Sequence, residues 1–223
     1  MPTLGHRQAR QYSLSDAPWP DFYRVSIKRE EWVDPTDADS NAHPGLISNI
    51  MHDEMKEGDV VRVSHPMGDF FLDPKNADER APLVLLSAGV GLTGLTSILN
   101  SLVSRHSTQQ ISWVHGARSA DVRAFVKPIK DIQRSRDNVK VVLFNSKTAE
   151  GDVKGVDFHH EGRIDLKALD PTAELFVNDD RTQYYVCGPT QFMTDMEDAL
   201  KALGVDAGRI HMELYGTGGV PRA

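Results

Sequence analysis

The sequence predicts a chain in two parts, an antiparallel β piece followed by an α/β open parallel sheet, on three observations. Beyond Pro82, short apolar runs alternate with segments of helical periodicity. That alternation implies parallel strands joined by right-handed crossovers. Before Pro82 the strand-like segments are few and polarity alternates residue by residue, as in strands with one wet face. Between the two lies 73–82, polar and carrying Pro74 and Pro82, which sets a boundary. The predicted division is 1–78 and 79–223. A chain of 223 residues with a 39% apolar share is long enough for two small domains with a real core.

Each element follows from its local pattern. In 22–29, Tyr23, Val25 and Ile27 share one face and Arg24, Ser26 and Lys28 the other, predicting a half-buried strand. Residues 30–44 are rich in Asp, Pro and Ser and read as a loop. Leu46, Ile47, Ile50 and Met51 stand at helical spacing within 45–55. A further strand is predicted over 60–65, with a turn before Gly68-Asp69-Phe70-Phe71. The run at 83–87 is almost continuously apolar, as in a strand covered on both faces. Helix 93–104, strand 111–115, helix 120–134, strand 139–144, strand 183–186, helix 190–203 and strand 210–214 complete the series. Residues 147–162 read as a long polar loop, in which His159 and His160 lack metal-ligand spacing, so no metal site is expected.

Composition narrows the function. The net charge of −7 comes from 25 basic and 32 acidic residues, without the basic stripe of a nucleic-acid-binding surface. No run approaches the roughly 18–20 apolar residues of a membrane span. Residues 1–10 have no apolar core, so no secretory signal is read there. The single cysteine, Cys187, has no partner for an internal disulfide. A cytoplasmic protein without nucleic-acid or membrane partners is expected.

Three segments carry chemistry. Gly89-Val90-Gly91-Leu92-Thr93-Gly94 fits G-x-G-x-x-G between a strand and a helix. Glycines there let backbone approach a pyrophosphate, and the helix N-terminus offers free N–H groups. The acidic residue that usually follows about 20 positions later is missing, because the second strand ends Val114-His115-Gly116-Ala117-Arg118. A tight strand-to-helix turn is the plainer alternative. Arg118 is read either as a partner for an adenosine phosphate or as a solvated surface arginine. Cys187-Gly188-Pro189 ends a strand where ligands sit in open α/β sheets, although Cys187 also suits a small buried apolar role. Glu213, late in the last strand, is likewise open to either reading.

Arg10-Gln11-Tyr12-Ser13-Leu14-Ser15 resembles the flavin-binding R-x-Y-S segment of the ferredoxin-NADP reductase superfamily. Pro66-Met67-Gly68-Asp69-Phe70-Phe71, Ser87-Ala88-Gly89-Val90-Gly91-Leu92-Thr93, Cys187-Gly188-Pro189-Thr190-Gln191-Phe192-Met193 and Glu213-Leu214-Tyr215-Gly216 follow in that family's order. The resemblance is strongest to the reductase portion of flavohaemoglobins, the nitric oxide dioxygenases, and runs from Arg10 to the end. It implies a partial antiparallel β-barrel that binds FAD, an NAD(P)-binding sheet, and hydride transfer from NAD(P)H to flavin. It implies FAD pyrophosphate contact at Arg10, with Gln11 beside it, packing of Tyr12 on the flavin, and Ser13 near its N5 edge. Gly45 and Ser48 would lie near the flavin phosphates. Gly89, Val90, Gly91, Leu92, Thr93 and Gly94 would hold the NAD(P)H pyrophosphate. Cys187, with Gly188 and Pro189, would sit near the nicotinamide. Glu213, Leu214, Tyr215, Gly216 and Thr217 would cover the flavin ring. The implied catalytic trio is Ser13, Cys187 and Glu213, and the implied partner is a haem protein or globin domain accepting electrons in trans.

The chain departs from the family in three places. Gly94 stands where proline is usual, and Gly216-Thr217 where Gly-Pro is frequent. Only nine residues precede Arg10, whereas a complete flavin barrel takes about three earlier strands, on the order of 40 residues. The sequence therefore resembles a reductase module that begins partway through its flavin domain. Two other readings remain. One is a non-catalytic dinucleotide-binding remnant unable to retain FAD. The other is a Rossmann-like methyltransferase, which leaves 10–13 and 187–189 unexplained.

Overall fold

The structure, a computed structural model, describes residues 9–30, 45–73 and 78–214. Its centre is a six-stranded parallel sheet of β1 (Leu83–Ala88), β2 (Ile111–Ala117), β3 (Val139–Asn145), β4 (His160–Glu161), β5 (Gln183–Gly188) and β6 (Ile210–Leu214), in the order β4-β3-β2-β1-β5-β6. The two-residue side-chain period sends each strand's residues to opposite faces. Leu83, Leu85, Ile111, Trp113, Val141, Leu143, Tyr185 and Cys187 form one core with α2 (Leu92–Ser104) and α3 (Val126–Ser135). Val84, Leu86, Val114, Val142, Phe144, Tyr184 and Val186 form the other with α4 (Thr190–Ala202), through Met193, Met196 and Leu200. With both faces covered, Leu83 to Leu86 have to be apolar, and five of the six β1 residues are buried.

The strand order reverses between β1 and β5. From β1 the chain winds outward through β2 and β3, then returns to the far side of β1 for β5 and β6. The crevice beyond the carboxyl ends of β1 and β5 is therefore the topological switch point, where open α/β sheets bind ligands. Those two ends carry Gly89 and Pro189.

The predicted strands beyond Pro82 all form. Helix α3 begins at Val126 rather than 120, for a physical reason. Phe125 sits in the left-handed region at φ 57°, and Arg123 turns inward to donate to the Asn145 side chain and, at 2.7 Å, to the Asp157 carbonyl. Such a turn cannot be continued as helix. The polar stretch 147–162 is not loop throughout. His160 and Glu161 pair in parallel with Phe144 and Asn145, and the His160 ring stacks on Phe144 at 4.7 Å. The unpaired edge of β3 provides the hydrogen-bonding groups for this short strand. His159 is tied down as well, its Nδ1 accepting from the Leu143 N–H at 3.0 Å.

Before Pro82, α1 (Leu46–Asp53) forms as predicted. The strands expected over 22–29 and 60–65 do not form ladders. Among the described residues of 9–73, the antiparallel pairing is a single bridge between Leu14 and Val25. A strand is held by its neighbour's backbone, and without one over 60–65 the alternating pattern leaves Val61 and Val63 exposed. The barrel implied by the resemblance is thus absent as a sheet from the described residues. The proposed division at 78/79 adjoins residues 74–77, which lie outside them.

Candidate site at the sheet switch point

The two glycine-bearing turns of the crevice interlock. Gly89–Gly91 forms one 3-10 turn after β1, and α2 starts at Leu92. A Cβ on Gly91 would fall 2.1 Å from the Cys187 carbonyl oxygen and 2.7 Å from the Gly188 nitrogen. One on Gly188 would fall 2.6 Å from the Phe192 ring and 3.2 Å from the Ala88 carbonyl oxygen. Gly91 is demanded by the other motif's backbone, and Gly188 chiefly by the Phe192 ring of its own. Gly89 differs: it is exposed, has φ 56°, and nothing lies within 4 Å of where a Cβ would stand. An open, left-handed glycine just before a helix N-terminus fits a phosphate group approaching the main chain. Val90 is half-buried and its carbonyl accepts from the Thr93 hydroxyl at 3.2 Å, while Leu92 and Thr93 are buried.

Below the crevice, the Ser87 hydroxyl and His115 Nδ1 lie 2.8 Å apart, joining the ends of β1 and β2. Burial pushes the His115 imidazole down to about 3, with the Arg123 charge adding to the shift. His115 is therefore a neutral structural pin near neutral pH.

Ser13, Gly94, Phe70, Cys187 and Glu213 converge from five separate segments. The Ser13 hydroxyl donates to Glu213 Oε2 at 2.9 Å across 200 sequence positions. The Cys187 thiol, fully buried, donates to the Glu213 carbonyl at 3.1 Å. A Cβ on Gly94 would lie 3.4 Å from Glu213 Oε2 and 3.5 Å from the Phe70 ring. Gly94 is thus the place where α2 lets the carboxylate and the ring come close. Phe70 meets the Tyr185 ring edge-on at 5.6 Å, and Tyr185 stacks on His211 at 4.6 Å. Partial burial raises the Glu213 pKa, the Ser13 hydrogen bond acts against that, and the negative charge of Asp69 adds to it.

The remaining expected residues are placed as follows. Arg10 and Gln11 are exposed, Tyr12 is half-buried, and Arg10 donates to the Ala9 carbonyl at 2.9 Å. Ser48 is buried; its hydroxyl donates to the Gly45 carbonyl at 3.0 Å and accepts from the Glu30 N–H at 3.2 Å. These bonds tie Glu30 to the start of α1. Arg118 is exposed just past β2, and among the described residues its side chain makes no hydrogen bond or salt bridge. Pro189 is exposed at the start of α4. Leu214 ends β6, while Tyr215, Gly216 and Thr217 lie outside the described residues. Single segments of the sequence do not reveal Phe70 as sharing with Glu213 the space beside Gly94. The available signal was its position after the Gly68 turn, two residues beyond a glycine at φ 121°.

A doubly wound sheet with an open glycine turn at its switch point defines a dinucleotide-binding domain. Residues 85–198 match the family model for the oxidoreductase NAD-binding domain. The flavohemoprotein of Bordetella pertussis (strain Tohama I) is 43% identical over 221 residues, covering 99% of this chain and 51% of that protein. The crystal structure of the flavohem-like FAD/NAD binding domain of nitric oxide dioxygenase from Vibrio cholerae O1 biovar El Tor is 32% identical. It superposes with a TM-score of 0.77, over 95% of this chain and 78% of that one. The flavohemoglobin of Malassezia yamatoensis, with bound FAD and heme, has a TM-score of 0.64 at 25% identity, over 94% of this chain and 47% of that one. The chain therefore belongs to the flavohaemoglobin family of oxidoreductases, as a reductase module of that family. It spans about half the length of the curated relatives it matches. No described helix is long and apolar enough to cross a membrane.

Two outcomes follow from this geometry. Gly91→Ala drives a methyl group into the Cys187 carbonyl, so the urea midpoint should fall, by about 1–3 kcal/mol of stability. An unchanged midpoint would contradict the interlock. Because the folded-state pKa of Glu213 is raised, its contribution to stability is full below the ordinary glutamate range and is lost as pH rises through the folded value. Thermal melts should show Glu213→Gln gaining on the wild type as pH rises above about 4.3. A difference independent of pH would show that the carboxyl is not shifted.

Proposed function

We propose that this chain works as an FAD-dependent NAD(P)H oxidoreductase, passing electrons from NAD(P)H through flavin to a haem in the manner of a nitric oxide dioxygenase reductase. The observation that carries this reading is the Ser13–Glu213 hydrogen bond beside Cys187. It joins the strip that resembles a flavin-binding segment to the strand ends that resemble a nicotinamide site. The relatives named for nitric oxide dioxygenase, FAD and heme support it.

When bound, the flavin supplies uptake of a hydride from the nicotinamide and release of its electrons one at a time. The chain's own residues align, shield and anchor. Arg10, with Gln11 beside it, holds the flavin's pyrophosphate, Tyr12 packs on the flavin, and Gly45 and Ser48 shape the turn near its phosphates. Ser13 and Glu213 fix the reacting edge. Gly89 to Gly94 hold the dinucleotide pyrophosphate, while Cys187, Gly188 and Pro189 floor the nicotinamide. Leu214, Tyr215, Gly216 and Thr217 follow Glu213 and cover the ring. The division of labour is 1–78 for FAD and 79–223 for NAD(P)H, in a cytoplasmic protein whose electron acceptor is a haem protein or globin domain in trans.

One observation favours a second reading, a dinucleotide-binding remnant that does not retain FAD. Residues 9–73 show one isolated bridge and no strand ladder among those described, which leaves little framework around a flavin. A spectrum taken with added FAD, followed by anaerobic NADH or NADPH, separates the two. The first reading predicts a bound flavin band that bleaches with dinucleotide. A protein that leaves FAD free in solution supports the second.

Arg118 bears on the choice of dinucleotide. With no acid at the end of β2 to repel a 2′-phosphate, and an exposed guanidinium beside it, both NADH and NADPH are accepted. Arg118→Ala should weaken NADPH binding more than NADH binding, by about 1–3 kcal/mol. Equal small changes in the two titrations would remove Arg118 from the site.

A further inference from the structure

Asp16 lies three residues beyond Ser13 and gathers four contacts around itself. Its backbone carbonyl accepts from the Ser97 hydroxyl at 2.8 Å. Its Oδ1 accepts from the Asn100 amide at 2.9 Å and from the Ala17 N–H at 2.8 Å. Its Oδ2 pairs with Arg24 at 2.7 Å, with the Asp16 side chain 13% exposed and that of Arg24 57%. The Arg24 pair reaches solvent, so it adds little to the energy of the cluster. The contacts to α2 are the distinctive ones. Ser97 and Asn100 are three apart and so share a face of the helix, and Ser97 is likewise three residues from Gly94.

The helix that opens at the Gly89–Gly94 turn is thus the same rigid body that grips the strip bearing Arg10, Tyr12 and Ser13. The strip has a second anchor at its other end, where Ser13 meets Glu213 on β6. Between the anchors, the Ser15 N–H donates to the Arg24 carbonyl at 2.9 Å and the Ser15 hydroxyl lies 2.9 Å from that of Ser26. Two fixed points on different elements leave a short segment no freedom to slide toward or away from the crevice. Asp16 gives this span a polar latch, since its main-chain carbonyl and its carboxylate bind successive turns of one helix.

We propose that Asp16, latched to Ser97 and Asn100, is a positioning residue that sets the separation between the flavin strip and the dinucleotide turn, and so the rate of hydride transfer. This rests on the flavin reductase reading above. The latch touches neither of the expected cofactor contacts, so its loss should leave affinities intact and change the alignment. Alignment is the sensitive quantity, because a misplacement of about 1 Å costs on the order of 100-fold in rate.

The test uses the full chain with saturating FAD and anaerobic stopped-flow reduction by NADH and by NADPH. Asp16→Ala and Asn100→Ala should keep flavin content and dinucleotide Kd within about twofold, and slow flavin reduction at saturating dinucleotide by about tenfold or more. Asp16→Asn keeps Oδ1 and the backbone carbonyl, so its rate should return to near that of the wild type. Unchanged reduction in Asp16→Ala, or Asp16→Asn as slow as Asp16→Ala, would overturn the latch. Ser97→Ala, which removes one hydroxyl, carries the test if Asp16→Ala fails to fold. Hydrogen exchange of the Ser15 and Ala17 amides reads the latch without any cofactor: faster exchange in Asn100→Ala is expected, and unchanged exchange overturns it. A wild type that binds FAD but is not reduced by either dinucleotide would sink the reductase reading instead, and the exchange result would still decide the latch.

Discussion

A contact between two stretches of main chain, Gly91 against the Cys187–Gly188 peptide, is the constraint on which the rest of the site depends. It exists because β1 and β5 are adjacent in the sheet although about a hundred residues apart in sequence. Parallel pairing aligns Ser87 with Cys187, so the turns that leave the two strands must meet. With a side chain at Gly91 they would be forced apart. With glycine on both, the start of α2 and the start of α4 close on one crevice. The position of Gly94 then follows from that of Gly91, one helical turn further on, and its bare backbone leaves room for Glu213 and Phe70.

Much of the sheet was legible in the sequence because its strands are buried on both faces. Leu83 to Leu86 has to be apolar at every position to lie between two helical layers, and such a run is hard to mistake. The start of α3 was not legible. Arg123 is a polar residue within a helical pattern, and only its inward hydrogen bonds to Asn145 and Asp157 explain why the chain bends there. The segments at 22–29 and 60–65 show the opposite failure. Their alternation is real, but a strand requires a partner, and periodicity within a segment does not supply one. His159 and His160 were read as loop residues because two-residue edge strands carry no pattern of their own.

In the candidate site, the glycines and Cys187 were visible through local motifs, whereas their reasons were not. Gly91 looked like a phosphate-binding glycine, and its steric demand comes from Cys187. Gly89 is the one left open to solvent. The convergence of Ser13 and Glu213 spans 200 positions, so no local pattern could have carried it. Asp16 was missed for the same reason: its partners Ser97 and Asn100 lie more than eighty positions away. The electrostatics are consistent with an aligning role. Glu213 sits where burial and Asp69 disfavour its charge while the Ser13 hydroxyl supports it.

The central claim is that the strip at Ser13 and the turn at Gly91 hold two flat rings close enough for a hydrogen to pass directly between them. Anaerobic flavin bleaching, followed with ordinary NADH and with NADH deuterated at the transferred position, tests it most directly. The account predicts that the deuterated dinucleotide bleaches the flavin more slowly at saturation, because the transferred C–H bond breaks in the step observed. Identical rates for the two, or a bound flavin that NADH never bleaches, would contradict it.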